Sequence, residues 1–342
     1  MTRSIGRRQL ALGTALAAGL PLFGIVRARG DAPEFSYKLG NDNPMSHPLT
    51  LRSQEAVERI KNESHGRLEI ALFPNNQLGG DTDMLSQLRS GALEFFTLSG
   101  GILSTLVPVA SIYGVGYAFK GYGEVWPAMD GELGAFIRAA VAKAGIHTFE
   151  KVWDNGFRQI SSSTHPINGP DDLHGFKIRV PVNPLYLSTF EALGASPTSI
   201  NFSEVYSALQ TKIVEGQENP LVNIFTAKLF EVQRYVSMTR HIWDGYLFLA
   251  NMRAWKALPS DLQEIAARNF NRSALDERQD IAKVDTTLRA ELEKKGLVFN
   301  EPDPVPFQKA LAKSGFYDKW RDKYGREAWA ALQKYATGIA TG

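Results

Sequence analysis

No cysteine occurs anywhere in the 342 residues, which excludes thiol catalysis, disulfide frameworks and thiolate-held zinc or iron-sulfur centres. Histidine is scarce. The six (His47, His65, His147, His165, His174, His241) are scattered with no ligand spacing between any two, so metal catalysis has no support and singly hydrogen-bonded or solvated imidazoles are the simpler expectation. A Gly-x-Ser-x-Gly elbow, a His-Glu-x-x-His pair and a Walker loop are all missing, and Gly114-Val115-Gly116 lacks the third glycine of a dinucleotide turn, reading instead as a loop of closely packed backbone. Past residue 30 no apolar run is long enough to span a bilayer. Charge of one sign is not in surplus either. Lysine and arginine total 38 against 36 acidic residues, but five of the basic ones (Arg3, Arg7, Arg8, Arg27, Arg29) fall in the first thirty positions, which hold no acidic residue. The remainder carries 33 basic and 36 acidic residues, a net of −3, and so lacks the electrostatic footprint of a nucleic-acid binder.

The first thirty residues have their own pattern. Arg7-Arg8 precedes an uncharged stretch from Leu10 to Val26 interrupted by Gly13, Gly19, Pro21 and Gly24, and Ala28 and Gly30 then stand at the −3 and −1 positions of a cleavage site before Asp31. This is the form of a signal peptide over 1–30 rather than of a membrane span. Arg7-Arg8 followed by Gln9-Leu10-Ala11-Leu12 resembles a twin-arginine signal, although general-export signals also carry basic starts. The mature chain is expected to begin near Asp31, outside the cytoplasm and not inserted in the membrane.

From there short alternating runs and amphipathic runs take turns. Phe35 to Leu39 alternates, Leu49, Ala56, Val57 and Ile60 follow helical spacing up to Gly66, Arg67 to Phe73 alternates, Asp81 opens a helix ending at Gly91, and Leu93 to Leu98 is again strand-like. Such a rhythm predicts a parallel α/β sheet. A second rhythm starts near Val152 and includes a strand over Phe176 to Val180, a helix from about Leu185 to Leu193 and another opened by Ser203. Ser260-Asp261-Leu262-Gln263 has capping-box form and opens a polar stretch to Lys295 that reads as one long helix lying across both halves. Helices after the Pro302, Pro304, Pro306 cluster end near Tyr335.

Two arginines stand out in this frame. Arg179 sits two residues before Pro181 at the end of the strand Phe176 to Val180, and Arg158 closes the segment Trp153-Asp154-Asn155-Gly156-Phe157-Arg158. Ligands bind at the carboxyl ends of strands in α/β sheets, and a guanidinium fork matches a carboxylate with two parallel hydrogen bonds. Both arginines therefore suit an organic anion. Each also fits a structural role, paired with a carboxylate on a neighbouring loop.

A series of stretches in order carries a family resemblance: Gly66-Arg67-Leu68-Glu69-Ile70, Phe73-Pro74, Gln77-Leu78-Gly79-Gly80, Gly156-Phe157-Arg158, Pro170-Asp171-Asp172-Leu173-His174-Gly175-Phe176-Lys177-Ile178-Arg179-Val180-Pro181, Leu193-Gly194-Ala195-Ser196-Pro197, Glu204 to Thr211, and Val214-Glu215-Gly216-Gln217-Glu218-Asn219-Pro220. With these, nearly the whole mature chain resembles the DctP-type solute-binding proteins of tripartite ATP-independent periplasmic (TRAP) transporters. The resemblance implies a periplasmic, two-lobed α/β binding-protein fold with a hinge and a long helix spanning both lobes. Lobe 1 is then expected over 31–154 with about 244–282, and lobe 2 over 155–243 with about 283–342. It further implies capture of a small organic acid, no catalysis, and the transporter's membrane subunits as partners. Matched position by position, Arg179 corresponds to the arginine that clamps the substrate carboxylate, Arg158 to a secondary arginine beside it and Asn219 to an asparagine reaching the ligand from the facing loop. Family branches with a Glu-Trp pair where this chain has Glu218-Asn219 hold a metal with the substrate, so the expectation here is a site with no metal and no cofactor. Glu215 stands where the family often has aspartate.

The aromatics near these motifs are candidate walls: Tyr113, Trp153, Phe157, Tyr186, Trp243 and Tyr246. Most of the 36 aromatic residues must serve the core, but Trp243-Asp244-Gly245-Tyr246 is flanked by polar residues. A flat wall there would favour a carboxylate with a ring or apolar body, with a sugar acid second, for which Asn155, Gln217 and Asp244 would supply hydroxyl partners. Two other classes share parts of this reading. A ligand-binding sensor module would have the same fold, and an exported hydrolase would need a nucleophile and base that no motif provides.

Overall fold

A computed structural model describes residues 32–339; the signal-peptide expectation lies outside the described residues. From Pro33 onward the chain forms one compact unit, and its ten described strands share a single sheet. In chain order these are β1 (Phe35–Gly40), β2 (Leu68–Phe73), β3 (Phe95–Ser99), β4 (Ile146–Thr148), β5 (Trp153–Ser162), β6 (Lys177–Val180), β7 (Ser196–Ser199), β8 (Gly216–Asn219), β9 (Tyr235–Asn251) and β10 (Val298–Asn300). The spatial order is β2-β1-β3-β9-β5-β8-β6-β7, with β4 and β10 also paired to β9.

Each end of this sheet is the parallel wing that the two rhythms predict: β1 pairs in parallel with β2 and β3, and β6 with β7 and β8. The centre differs from the expectation. β5 and β9 run antiparallel to each other over Trp153↔Tyr246 to Ser162↔Tyr235, and β5 is antiparallel to β8 as well. Every residue of β5 is buried, so its polar members Asp154, Asn155, Arg158 and Gln159 face protein on both sides. Two register shifts interrupt the ribbon, between Asp154 and Gly156 and between Arg158 and Ile160. At the first, Asn155 is the extra residue and Gly156 takes φ +111°, a backbone conformation that side chains resist. At the second the surplus lies in β9, where Arg240 is held at φ +45° and its N–H donates to Gln159 Oε1 at 2.9 Å. Bulges of this kind re-aim side chains, here those of Asn155 and Arg158.

The long helix covers Ser260–Lys294, 35 residues and about 50 Å at the usual rise. Its first half buries Leu262, Ala266, Phe270 and Ala274 against Leu39, Val57, Phe95, Trp153 and Phe248. Its second half buries Ile281, Leu288 and Leu292 among Val205, Leu209, Val222 and Val236. It therefore spans both lobes, as the mostly polar 260–295 stretch implies. The capping box is not realised, however: the helix begins after Pro259, which offers no side-chain cap, and Gln263 Nε2 instead donates to the carbonyls of Trp255 and Leu258. The opposite face of the sheet carries one continuous cluster drawn from both wings, running from Met84 through Phe157, Tyr186 and Trp243 to Phe307, Trp320 and Leu332 of the C-terminal helices.

Where the long helix crosses β5, two carboxyl groups are buried together. Glu277 Oε2 accepts the Asp154 N–H at 2.8 Å, and Asp154 Oδ1 accepts Trp243 Nε1–H at 2.9 Å. Burial pushes Asp154 up to about 7, despite the Trp243 hydrogen bond, and raises Glu277 well above the carboxylate range. A folded-state pKa raised above the unfolded one contributes stability at low pH that is lost as pH rises through the folded value. Stability measured by urea unfolding is therefore expected to fall by roughly 1–3 kcal/mol between about pH 5 and pH 8 on account of this pair. Asp154→Asn should flatten that dependence; an unchanged slope would show that Asp154 does not titrate in this interval.

Candidate functional site

The carboxyl ends of the parallel strands in both wings point to one place. Asn41-Asp42-Asn43 follows β1, Ser99 ends β3, Arg179 lies at the end of β6 ahead of Pro181, and Asn219 ends β8. Between them lies a cavity lined by Asp42, Asp81, Ser99, Ile102, Asn155, Arg158, Arg179, Pro181, Phe202, Asn219, Asn223, Asp244 and Tyr246. Its volume is about 20 Å³, room for a water molecule. An organic acid can enter only if the walls part.

Every nitrogen of Arg158 is engaged. Its Nε donates to Glu218 Oε2, its Nη2 to Glu218 Oε1 at 2.8 Å, to the Glu218 carbonyl at 2.7 Å and to Asn219 Oδ1 at 3.1 Å, and its Nη1 to Asp244 Oδ2 at 3.0 Å. Burial works against its charge, but the attraction of Glu218 and Asp244 more than offsets this, so its pKa lies above that of a free guanidinium. Burial likewise opposes ionisation of Glu218, and Arg158 together with the hydrogen bond from His241 holds it below the usual carboxylate value. His241 is driven toward the neutral form by burial. Its Nε2 lies 3.2 Å from Glu218 and its Nδ1 2.7 Å from Thr239 Oγ1, which fits a neutral ring donating through Nε2 and accepting at Nδ1.

Arg179 is different. Its Nε and Nη2 donate to one oxygen, the Ile200 carbonyl, at 2.9 and 2.7 Å. The edge formed by Nη1 and the second Nη2 hydrogen is left over, and Nη1 is buried with no partner among the described residues. Burial lowers its pKa to about 10, with Glu218, Asp81 and Asp42 supporting the charge, so it remains a cation at neutral pH. Phe202 lies beside it, its ring centre 5.8 Å from the guanidinium carbon.

The same cavity is lined by residues with hydrogen-bond acceptors that lack donors among the described residues. Asp81 Oδ1 and Oδ2, Asn155 Oδ1 and Asn223 Oδ1 are all buried and unpartnered among the described residues. The amide nitrogens each make one bond: Asn155 Nδ2 donates to Asp244 Oδ2 at 2.9 Å and Asn223 Nδ2 to Tyr246 Oη at 3.3 Å. Burial raises Asp81 to about 6, and burial together with the Asp81 charge raises Asp42 well above its ordinary value.

The profile of the bacterial extracellular solute-binding proteins, family 7 (DctP), matches residues 39–320. The chain belongs to that family. Among relatives of this family-7 chain, the protein y4mM of Sinorhizobium fredii is 33% identical over 90% of this chain, which spans 56% of that relative's length. The solute-binding protein RD1_1052 of Roseobacter denitrificans is 31% identical over 86% of this chain and 90% of its own. Its crystal structure, a TRAP periplasmic solute-binding protein with bound L-galactonate, superposes with a TM-score of 0.83 and 29% identity over 89% of this chain and 99% of that one. A TRAP periplasmic solute-binding protein of Sulfurospirillum deleyianum with bound succinate gives 0.84 and 28% over 89% and 99%. The family comprises solute-binding proteins, and the solved relatives share the two-lobed α/β fold.

Of the residues singled out from the family-7 sequence, Arg179, Arg158, Asn219, Asn155 and Tyr246 meet at the cavity. Trp243, Trp153, Gln217 and Tyr113 do not line it. Trp243 is packed against Tyr113, Phe119 and Trp126, with its indole N–H on Asp154. Trp153 lies against Phe248 in the core beneath the long helix. Gln217 stands behind the site, accepting from Asn219 Nδ2 and donating to Ser161 Oγ at 2.7 Å. Tyr113 Oη donates to the Gly245 carbonyl at 2.7 Å and accepts the Gly100 N–H at 2.8 Å, bracing the turns that carry Asp244 and Ser99. Glu215 is structural, its Oε2 accepting the Lys177 N–H. The residues not anticipated are Asp42, Asp81, Ser99, Asn223 and Phe202. For Asp42 and Ser99 the signal existed, because each ends or follows a strand of the first wing. Among the described residues no group of three or more His, Asp or Glu is placed to hold a metal, and no helix is long and apolar enough to cross a membrane.

Proposed function

We propose that this protein is a periplasmic solute-binding protein that captures a small hydroxylated organic acid and presents it to the membrane subunits of a TRAP transporter. One observation carries the substrate class: the free guanidinium edge of Arg179 shares one cavity with buried acceptors on Asp81, Asn155 and Asn223 that have no donors among the described residues. Each buried acceptor left unpaired costs about 1–3 kcal/mol, and a ligand offering a carboxylate at one end and several O–H groups along its body satisfies all of them. An aromatic acid does not. With Trp243 in the core, the apolar surface at the cavity comes down to Ile102, Pro181, Phe202 and Tyr246, so the order of preference inferred from the Trp243-Tyr246 pair is reversed in favour of sugar acids. L-Galactonate in the Roseobacter relative is of this kind. In this reading the lobes, 31–154 with about 244–282 and 155–243 with about 283–342, part to admit the acid and close on it because the closed state makes contacts from both sides.

A thermal-shift panel of L-galactonate, D-glucuronate, succinate and benzoate tests the assignment. The hydroxylated acids are expected to stabilise the protein most, by about 2.7 kcal/mol at a hundred times the dissociation constant. A benzoate shift exceeding those of the hydroxy acids would overturn the substrate class, and no shift with any acid would overturn the function.

A further inference from the structure

The charges around the cavity do not balance for an incoming anion. Arg158 is committed to two carboxylates, Glu218 and Asp244. That leaves Arg179 as the one cation lining the cavity whose charge is not already neutralised among the described residues, and it confronts Asp42 and Asp81. Counted with every group ionised, the two arginines oppose four carboxylates, all nearly inaccessible to solvent. A bound carboxylate would raise the excess to three negative charges in a space from which water is largely excluded. Two carboxylates that share one buried site and one cation do not both ionise.

We propose that capture of the organic acid takes up one proton, and that this proton resides on the Asp42–Asp81 pair. The inference rests on the reading of the cavity as an organic-acid site. Three observations converge on the pair. Asp81 is 1% exposed, lines the cavity, and has no donor to either oxygen among the described residues. Asp42 has a single side-chain donor, Asn43 Nδ2 at 2.8 Å, which also donates to Tyr246 Oη. Neither aspartate forms an ion pair with Arg179, whose donors go to Ile200. The other titratable groups facing the pair do not take over the role. Glu218 is held ionised by Arg158; Asp244 is raised by burial but accepts hydrogen bonds from Arg158, Ser99 and Asn155, donors that the two cavity aspartates lack; Tyr246 is raised by burial away from ionisation, and His47, beside Asn223, is pushed down to about 4 by burial and stays neutral. A protonated Asp81 gains a donor as well, and can give a hydrogen bond to a ligand oxygen while accepting from a ligand hydroxyl.

The direction of the pH effect follows. Parting the cleft relieves the burial that raises the two aspartates, and in the closed complex the pair is raised by that burial and by the ligand's charge. Binding is strengthened at low pH and the gain is lost as pH rises through the value of the closed complex. With Asp81 near 6 even before a ligand's charge is added, affinity should drop by about fourfold or more between about pH 5.5 and pH 7.5.

The test is calorimetry with L-galactonate, D-glucuronate and D-erythronate as probes, at about pH 6 in buffers of different ionisation enthalpy, which yields the number of protons taken up per probe bound. Between about half a proton and one is expected, since a group near 6 is half protonated at pH 6 and the ligand's charge raises it further, with the predicted decline of affinity toward alkaline pH, and both effects should be lost in Asp81→Asn or in Asp42→Asn. Binding with no proton uptake and no pH dependence would overturn the proposal while leaving the function intact, as would uptake that persists in both variants. Failure of every probe to bind at any pH would instead overturn the organic-acid reading on which it stands.

Discussion

Arg179→Ala is expected to weaken capture of a hydroxy acid by about 2–5 kcal/mol, roughly thirty- to several-thousand-fold. The guanidinium offers the ligand carboxylate an edge that has no partner among the described residues, and the carboxylate has already been stripped of water when the cleft closes. Truncation leaves that charge buried and unpaired, facing Asp42 and Asp81 with no cation between. Lysine restores the charge but not the planar fork, so Arg179→Lys should recover part of the loss. Titration calorimetry of the three proteins with L-galactonate measures this. Near-native affinity in the alanine variant would remove Arg179 from the site.

The second large effect concerns stability. Glu218→Ala removes the carboxylate that holds Arg158 by its Nε and Nη2 and accepts from His241. Arg158, 2% exposed, then keeps Asp244 as its one charged partner among the described residues. Breaking a buried pair from one side typically costs about 3–5 kcal/mol, because the remaining ion stays desolvated. Glu218→Gln retains an acceptor and the shape, and should lose less. Urea unfolding of both variants at neutral pH gives the comparison. A loss below about 1 kcal/mol in the alanine variant would mean that Asp244 alone compensates Arg158.

The wings were legible in the sequence and the centre was not. Periodicity located β1, β2, β6 and the helices between them because each has one face on a core and caps or glycines at its ends. The polar stretch from Ser260 likewise announced a long helix, whose buried positions recur at helical spacing in two separate cores. β5 defeats such reading, since it is buried on both faces and mixes the polar or charged Asp154, Asn155, Arg158 and Gln159 with apolar residues. Its bulges depend on pairing with β9, a partner some ninety positions away in the chain. The same limit applies to the site. Arg179 follows from its place at a strand end, and Asp42 and Ser99 obey the same rule in the other wing. Arg158 fits both sequence readings at once, since it lines the cavity yet is paired with structural carboxylates. Trp243 looked like a ligand wall because polar residues flank it, but those neighbours are buried too, and Asp154 is there to satisfy its indole. Which acceptors lack donors is a property of the assembled structure alone.

Three unbroken pieces of backbone, β5, β9 and the 260–294 helix, run through both wings. Sliding or twisting the wings apart would shear the hydrogen bonds of all three together, whereas rotation about a line near the two bulges disturbs few of them. In the proposed function, opening is thereby confined to a single coordinate. Different acids then alter how far the equilibrium lies toward the shut position, not what that position looks like. A docking partner that touches both wings would meet the same outline whichever cargo is inside, and needs no chemical knowledge of the cargo to tell a loaded molecule from an empty one.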